Sequence, residues 1–149
     1  MLAVLYVVGI ADTNYIEKHS RLSAYDKIDF ELLCEMVGNS SGIIFSPNVL
    51  SETSNLMRQK IWGPVLEKVN VAFKEIIRKS NEKYMESRNA VDMLEFARLG
   101  LSDAVNLMLH EGGSTLVTDD LDLYLAAAKI SDRAINFNHV REARRTDLG

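Results

Sequence analysis

The fold is decided by the stretch that runs from Ser114 to Leu123 and reads STLVTDDLDL. Its first half is rich in β-branched residues, as in a buried strand, and its second half places carboxylates where a helical pattern begins. In an open parallel sheet, ligands bind at the carboxyl ends of the strands. Two carboxylates about 4 Å apart repel by about 4 kcal/mol at an effective dielectric constant of about 20, and a divalent cation relieves that repulsion. The stretch therefore predicts a strand that delivers acidic side chains to a cation site.

Three further stretches predict strands. The opening run Leu2–Ile10 is apolar throughout and predicts a central strand that is covered on both faces. Residues 42–46 predict a second buried strand, and residues 133–137 predict a final strand at an edge. Helical patterns separate these strands, which favours an α/β fold with a mostly parallel sheet and helices on both faces. Residues 90–94 fit either a short edge strand or the start of a helix.

Length and composition predict one cytoplasmic domain. The chain has 149 residues, so we expect a single domain over residues 1–149, with a frayed tail at residues 142–149. Cys34 is the one cysteine, which excludes a disulfide within the chain and favours a reducing compartment. The opening apolar run lacks the basic flank of a secretory leader and is too short to span a bilayer, so we expect no membrane association.

Acidic side chains follow the predicted strands or open the helices after them. Asp12 follows the first run, and Glu52 lies early in the helix after the second strand. Asp103 opens a later helix, and Asp119 or Asp120 follows the strand of the opening stretch. In a mostly parallel sheet these positions would share one edge, where they would bind a metal. Each acid also fits a helix cap or a partner of the helix dipole, and the residues alone leave both interpretations open.

Basic side chains are concentrated in one region of an acidic chain. The 21 Asp and Glu against 17 Lys and Arg give a net charge of -4, which argues against a protein that coats nucleic acid by bulk charge. Between Arg58 and Arg88 the balance leans basic, and Lys74, Arg78 and Lys79 are the candidates for contact with RNA phosphates. A solvated helix face explains the same mixture of charges.

Four short motifs, taken in their order along the chain, resemble those of the PIN domain family of nucleases. The motifs are Asp12-Thr13-Asn14, Glu52 with Asn55, the segment LGLSDA at residues 99–104, and the segment LVTDDLDL at residues 116–123. The resemblance covers nearly the whole chain. It implies a PIN-like three-layer α/β/α fold with a mostly parallel central sheet.

The same resemblance implies a set of functional residues. The metal ligands and catalytic acids would be the acidic quartet of Asp12, Glu52, Asp103 and Asp120, with Asp119 and Asp122 as alternates for the last position. Supporting roles would fall to Thr13, Asn14, Asn55 and Thr118, the last through its hydroxyl. The ion would be Mg²⁺ or Mn²⁺, which prefers carboxylate oxygens, and the reaction would be hydrolysis of a phosphodiester by an activated water.

Histidine is not required for that chemistry. His19, His110 and His139 do not have the spacing of a metal-ligand set. His110 ends an apolar helix, so we expect a structural role or a charge interaction with the helix terminus.

The sequence thus supports three functional hypotheses. The first is a metal-dependent endoribonuclease that acts on RNA, as do toxins of toxin-antitoxin pairs; its protein partners would be an antitoxin or a second copy of the chain. The alternative is a PIN-like module that binds RNA or protein with little or no nuclease activity. The third is a phosphotransfer domain with a strand-end aspartate as phosphoryl acceptor, for which no suitably placed lysine stands near the last strand.

Overall fold

The computed structural model describes all residues from Met1 to Gly149, and the chain divides into two compact units. We call Met1–Lys83 the amino-terminal unit and Tyr84–Gly149 the carboxyl-terminal unit. The chain is α/β, and its strands are short and parallel. Each unit carries one two-stranded sheet. The single domain and the central sheet of the sequence analysis stay predictions.

The amino-terminal unit is mainly helical. Its elements are α1 (Leu2–Ala11), a 3₁₀ helix (Thr13–Tyr15), α2 (Lys27–Gly38), β1 (Ile44–Phe45), α3 (Pro47–Met57), α4 (Gly63–Lys79) and β2 (Asn81–Glu82). Strands β1 and β2 pair in parallel, with Phe45 opposite Glu82. Helix α1 packs against α2, α3 and α4, so it forms the centre of this unit.

The carboxyl-terminal unit alternates helices and strands after two short helices. Its elements are α5 (Ser87–Ala90), α6 (Phe96–Leu99), α7 (Leu101–Glu111), β3 (Leu116–Thr118), α8 (Leu121–Ile130), β4 (Ala134–Asn136) and α9 (Phe137–Leu148). Strands β3 and β4 pair in parallel from Leu116 opposite Ala134 to Thr118 opposite Asn136. The core lies between α7 and α8, where Leu107 packs against Leu123, Ala126 and Ala127.

Local signals in the sequence account for most of these elements. The predicted strands at 42–46, 115–118 and 133–137 are confirmed by β1, β3 and β4. Helix α2 begins with a capping box in which Asp26 and Asp29 each accept from the other's backbone N–H. At 90–94 the structure shows the end of α5 and a turn, and the tail expected to fray at 142–149 is helical as far as Leu148.

The prediction of a first strand at Leu2–Ile10 is wrong, because this run forms helix α1. An unbroken apolar run has no periodicity, so a buried strand and a buried helix give the same pattern. A helix that is apolar on all sides is stable only where other elements surround it. Three helices surround α1, and Val4, Leu5 and Val8 are at most 1% exposed.

Gly9 permits a close approach between α1 and the ring of Phe30 on α2. A Cβ at this position would overlap the ring of Phe30, whose Cγ would lie 2.7 Å away. We expect Gly9→Ala to lower the free energy of unfolding by about 1–3 kcal/mol, although alanine is the better helix former. Gly38→Ala is the matched control, since a Cβ there meets nothing within 4 Å. Chemical denaturation of both variants tests this, and equal stabilities would show that α1 and α2 do not pack as described.

Candidate functional site

Two acids of the quartet lie at the amino ends of neighbouring helices in the carboxyl-terminal unit. Asp103 is in the first turn of α7, and Asp120 is the N-cap of α8. The buried ring of His110 ties the two helices together, because its Nε2 lies 3.0 Å from the carbonyl oxygen of Ala127. His110 lies about two turns beyond Asp103, and Ala127 lies about two turns beyond Asp120. The contact therefore lies at a similar distance along each helix from its acid.

The carboxylate of Asp120 is held by its own helix. Its Oδ1 accepts from the backbone N–H of Leu123 at 3.0 Å, which is an N-cap bond. The backbone N–H of Asp120 donates to Oγ1 of Thr118 at 3.1 Å, so the buried threonine at the end of β3 fixes the turn into α8. Because only Oδ1 is engaged in the cap, Oδ2 of this exposed residue can accept from a further donor or bind a cation.

The two alternates for the last ligand have different surroundings. Oδ1 of Asp122 lies 3.6 Å from Nη1 of Arg98, and both side chains are more than half exposed. Asp119 is partly buried, and its backbone oxygen accepts from Nδ2 of Asn138 at 3.1 Å. Asp120 is thus the acid that both Thr118 and the start of α8 position.

The cap of α8 gives a stability prediction. We expect Asp120→Ala to lower the free energy of unfolding by about 1 kcal/mol in the absence of metal, because the bond to the N–H of Leu123 is lost. Asp120→Asn keeps an acceptor there and should remain within a few tenths of a kcal/mol of the parent. The control is Asp122→Ala, which removes an exposed ion pair that contributes little to the free energy of unfolding. Thermal unfolding measures all three, and a loss as large for Asp122→Ala would contradict the cap.

Asp12 lies in the amino-terminal unit, between α1 and the 3₁₀ helix. Its Oδ1 accepts from the backbone N–H of Asn14 at 2.9 Å, so it caps the 3₁₀ helix. Its Oδ2 lies 4.0 Å from Nζ of Lys68, and the side chains of Lys68 and Asp12 are 62% and 36% exposed. An ion pair this exposed contributes at most about 1 kcal/mol. Lys68 therefore offsets the charge of Asp12 without burying it.

Glu52 and Asn55 share one face of α3 and are both exposed. The opposite face of the helix carries Thr53 and Met57, which are buried. Ser46 caps this helix by accepting from the N–H of Val49, and Pro47 follows in the first turn. Local signals thus place Glu52 in the second turn on the solvent side.

Each unit carries two of the four acids, Asp12 and Glu52 in one and Asp103 and Asp120 in the other. Carboxylate oxygens are the ligands that Mg²⁺ and Mn²⁺ prefer, so the donor set fits the ion chemically. The structure shows no group of three or more His, Cys, Asp or Glu side chains arranged to hold a metal ion. The quartet as a metal site therefore stays a prediction.

A basic hollow lies on the amino-terminal unit along α4. Its volume is about 350 Å³, and its lining consists of Arg58, Asn70, Phe73, Lys74, Ile77 and Arg78. We call these six residues the basic hollow. Two of the residues predicted to contact RNA, Lys74 and Arg78, belong to it, whereas Lys79 is not part of the lining. Asn70 was not among the residues predicted from the sequence, although its spacing of four residues from Lys74 places it on the same face of the helix.

Two histidines act structurally. The ring of His19 accepts from the N–H of Arg21 through Nδ1 and lies 2.9 Å from the oxygen of Met57 through Nε2. The ring of His110 contacts the oxygen of Ser114 through Nδ1, at 2.8 Å, as well as that of Ala127. The structural role predicted for His110 is confirmed.

Two partly buried groups of the amino-terminal unit have raised pKa values. Burial raises the pKa of Cys34, and the charge of Glu31 raises it further. Burial also raises the pKa of Tyr6, with a smaller contribution from Cys34. The thiol of Cys34 therefore stays protonated at neutral pH and is a poor nucleophile.

Comparison with protein-family models, curated proteins and solved structures finds no match to this chain. None of its helices is both long and apolar enough to cross a membrane.

Proposed function

We propose that this protein is a metal-dependent endoribonuclease of the PIN type, with a three-layer α/β/α fold and a mostly parallel central sheet. The observation that carries the proposal is the pair of acids at the amino ends of α7 and α8, with Asp120 positioned by Thr118 at the end of a strand. The opening stretch of sequence predicts the position of Asp120 after that strand. The motifs around Asp12 and Glu52 supply the other two acids of the quartet.

The proposed chemistry assigns specific tasks to the side chains. A bound Mg²⁺ or Mn²⁺ would activate a water and neutralise charge on the phosphate. In Asp12 and Asp120, one carboxylate oxygen is held by a backbone N–H at the start of a helix, so the other oxygen is oriented before any ligand arrives. Lys68, close to Asp12, would offset the negative charge of an approaching phosphate.

The proposed substrate is RNA, and the proposed location is the cytoplasm. Three basic side chains of α4 would attract the phosphate backbone of RNA and offset its repulsion by the net negative charge of the protein: Lys74, Arg78 and Lys79. An antitoxin or a second copy of the chain would be the protein partner, if the nuclease serves as a toxin.

The test is cleavage of RNA oligonucleotides of mixed sequence by the purified protein. We expect cleavage with Mn²⁺ or Mg²⁺ and none with a chelator, because the proposed acids do not act without the ion. Purification under denaturing conditions followed by refolding guards against a contaminating nuclease, and a catalytically impaired variant purified in parallel completes the control. Metal-independent cleavage, or no cleavage of any substrate, would refute the proposal.

The second candidate is an RNA-binding module with little or no nuclease activity. The observation that favours it is the basic hollow, in which Arg58, Lys74 and Arg78 come together without a carboxylate in the lining. RNA binding that needs no metal, combined with no cleavage, would select this function over the first.

A further inference from the structure

We infer that the basic hollow is a nucleotide-binding site, separate from Asp12 and its surroundings. Three of its six lining residues are cations, and none is acidic. Arg78 also forms an exposed pair with Glu75, at 3.3 Å between Nη1 and Oε1, and Glu75 is not part of the lining. Guanidinium and ammonium groups around one concave surface are the chemistry that recognises a phosphate.

The remaining lining distinguishes a nucleotide from inorganic phosphate. Ile77, which is 37% exposed, and the edge of the largely buried Phe73 supply apolar surface next to the cations, and a base or ribose would cover that surface. The volume of about 350 Å³ falls within the range of small-molecule sites.

Asn70 supplies the polar group that a base edge requires. Its Oδ1 is buried and has no hydrogen-bond partner, although buried amide oxygens are nearly always paired. In this rotamer the buried Oδ1 does not reach the surface of the hollow, but rotation of the amide about its last bond exchanges the oxygen and the NH₂ group, so the side chain can present an acceptor or a donor. Amide side chains read the edges of nucleobases in this way.

The geometry of α4 separates this site from Asp12. Successive residues of an α-helix turn by about 100°, so Asn70, Lys74 and Arg78 form one stripe. Lys68, the ion partner of Asp12, is rotated by about 200° from Asn70, and the buried residues Val69, Ala72 and Ile76 lie between the two sides. The basic hollow and Asp12 therefore lie on opposite flanks of α4, and a nucleotide in the hollow is not held at Asp12.

The ligand class rests on the proposed function, because RNA is the nucleotide source that the proposal names. A single nucleotide of an RNA chain would occupy the hollow, with its phosphate on the three cations and its base on the apolar side. An acidic peptide with an aromatic side chain is the competing occupant, and the experiment separates the two.

The test measures the binding of adenosine monophosphate (AMP) in the absence of metal. Calorimetry gives the affinity, and changes in amide chemical shifts along α4 give the location. We expect AMP to bind about tenfold more tightly than inorganic phosphate, because base contacts add to the phosphate contacts. We also expect ribose 5-phosphate to fall between the two. Equal affinity for AMP and phosphate, no binding of AMP, or shifts confined to residues outside α4 would overturn the inference. Equal or tighter binding of an acetylated Glu-Phe dipeptide would overturn it in favour of a protein partner.

Matched variants test the location. Arg58→Gln combined with Lys74→Gln should weaken AMP binding by about tenfold or more, because two charge-assisted contacts are lost. Lys18→Gln combined with Lys83→Gln removes the same charge from exposed positions outside the hollow and should leave the affinity within about twofold. Equal losses in the two pairs would show that AMP responds to net charge alone and would overturn the inference. AMP binding without RNA cleavage would refute the nuclease proposal only, whereas cleavage without AMP binding would refute this site only.

Discussion

Metal-dependent RNA cleavage should fall by about a hundredfold or more when any one acid of the quartet is replaced by its amide. Each amide removes one ligand charge and keeps the shape of the side chain, so the loss is chemical. Asp12→Asn and Asp120→Asn should also keep their cap bonds, because asparagine is as good an N-cap as aspartate. Initial rates on one labelled RNA, together with thermal unfolding of each variant, measure the two effects separately.

Asp119→Asn and Asp122→Asn are the matched controls for the last position. Asp122 is paired with Arg98 on the surface, and Asp119 is not the N-cap of α8. We expect both variants to retain most of the activity. Full activity in any two variants of the quartet would refute the quartet. If Asp120→Asn keeps normal activity while Asp119→Asn or Asp122→Asn loses it, the residue whose replacement abolishes activity is the last ligand.

Replacing His110 with alanine should lower the free energy of unfolding by about 3–5 kcal/mol. The ring is fully buried, and it contacts the carbonyl oxygens of Ala127 in α8 and of Ser114 in the loop before β3. A neutral ring donates one of these bonds, and a protonated ring donates both. Its removal leaves a cavity between α7 and α8 and an unpaired oxygen before β3.

His139→Ala is the control for this prediction. His139 is exposed on α9 and contacts Tyr124 edge-to-face, with ring centroids 5.6 Å apart. We expect this change to cost about 1 kcal/mol or less. Urea denaturation compares the two variants, and His110→Gln should recover part of the loss because its amide can donate one bond. Equal stabilities of His110→Ala and His139→Ala would contradict the role of His110 as the link between α7 and α8.

The elements that the sequence predicted correctly have signals within a few residues. Strand β3 and the start of α8 follow from a β-branched run and an aspartate that caps the next helix. Helix α3 follows from Ser46 and Pro47, and α2 follows from the capping box of Asp26 and Asp29. These interactions are local, so neighbouring residues suffice to define them.

The site was predictable only in part. The position of each acid at the start of a helix or the end of a strand could be read from neighbouring residues, and the structure confirms that Asp120 follows β3 and opens α8. The ion partner of Asp12 was not predictable, because Lys68 is remote in sequence and comes near only through the packing of α1 against α4. The basic hollow shows the same dependence, since Arg58, which follows α3, joins Lys74 and Arg78 of α4 only in the folded chain.

By itself, the sequence determined the α/β class, the positions of strands β1, β3 and β4, and the aspartate that follows β3, because capping bonds and short β-branched runs act between close neighbours. Only the tertiary structure decided that Leu2–Ala11 is a helix and that His110 links α7 to α8. An apolar run such as Leu2–Ala11 satisfies its backbone groups equally well in a buried helix or a buried strand. The surrounding helices α2, α3 and α4 therefore select its conformation.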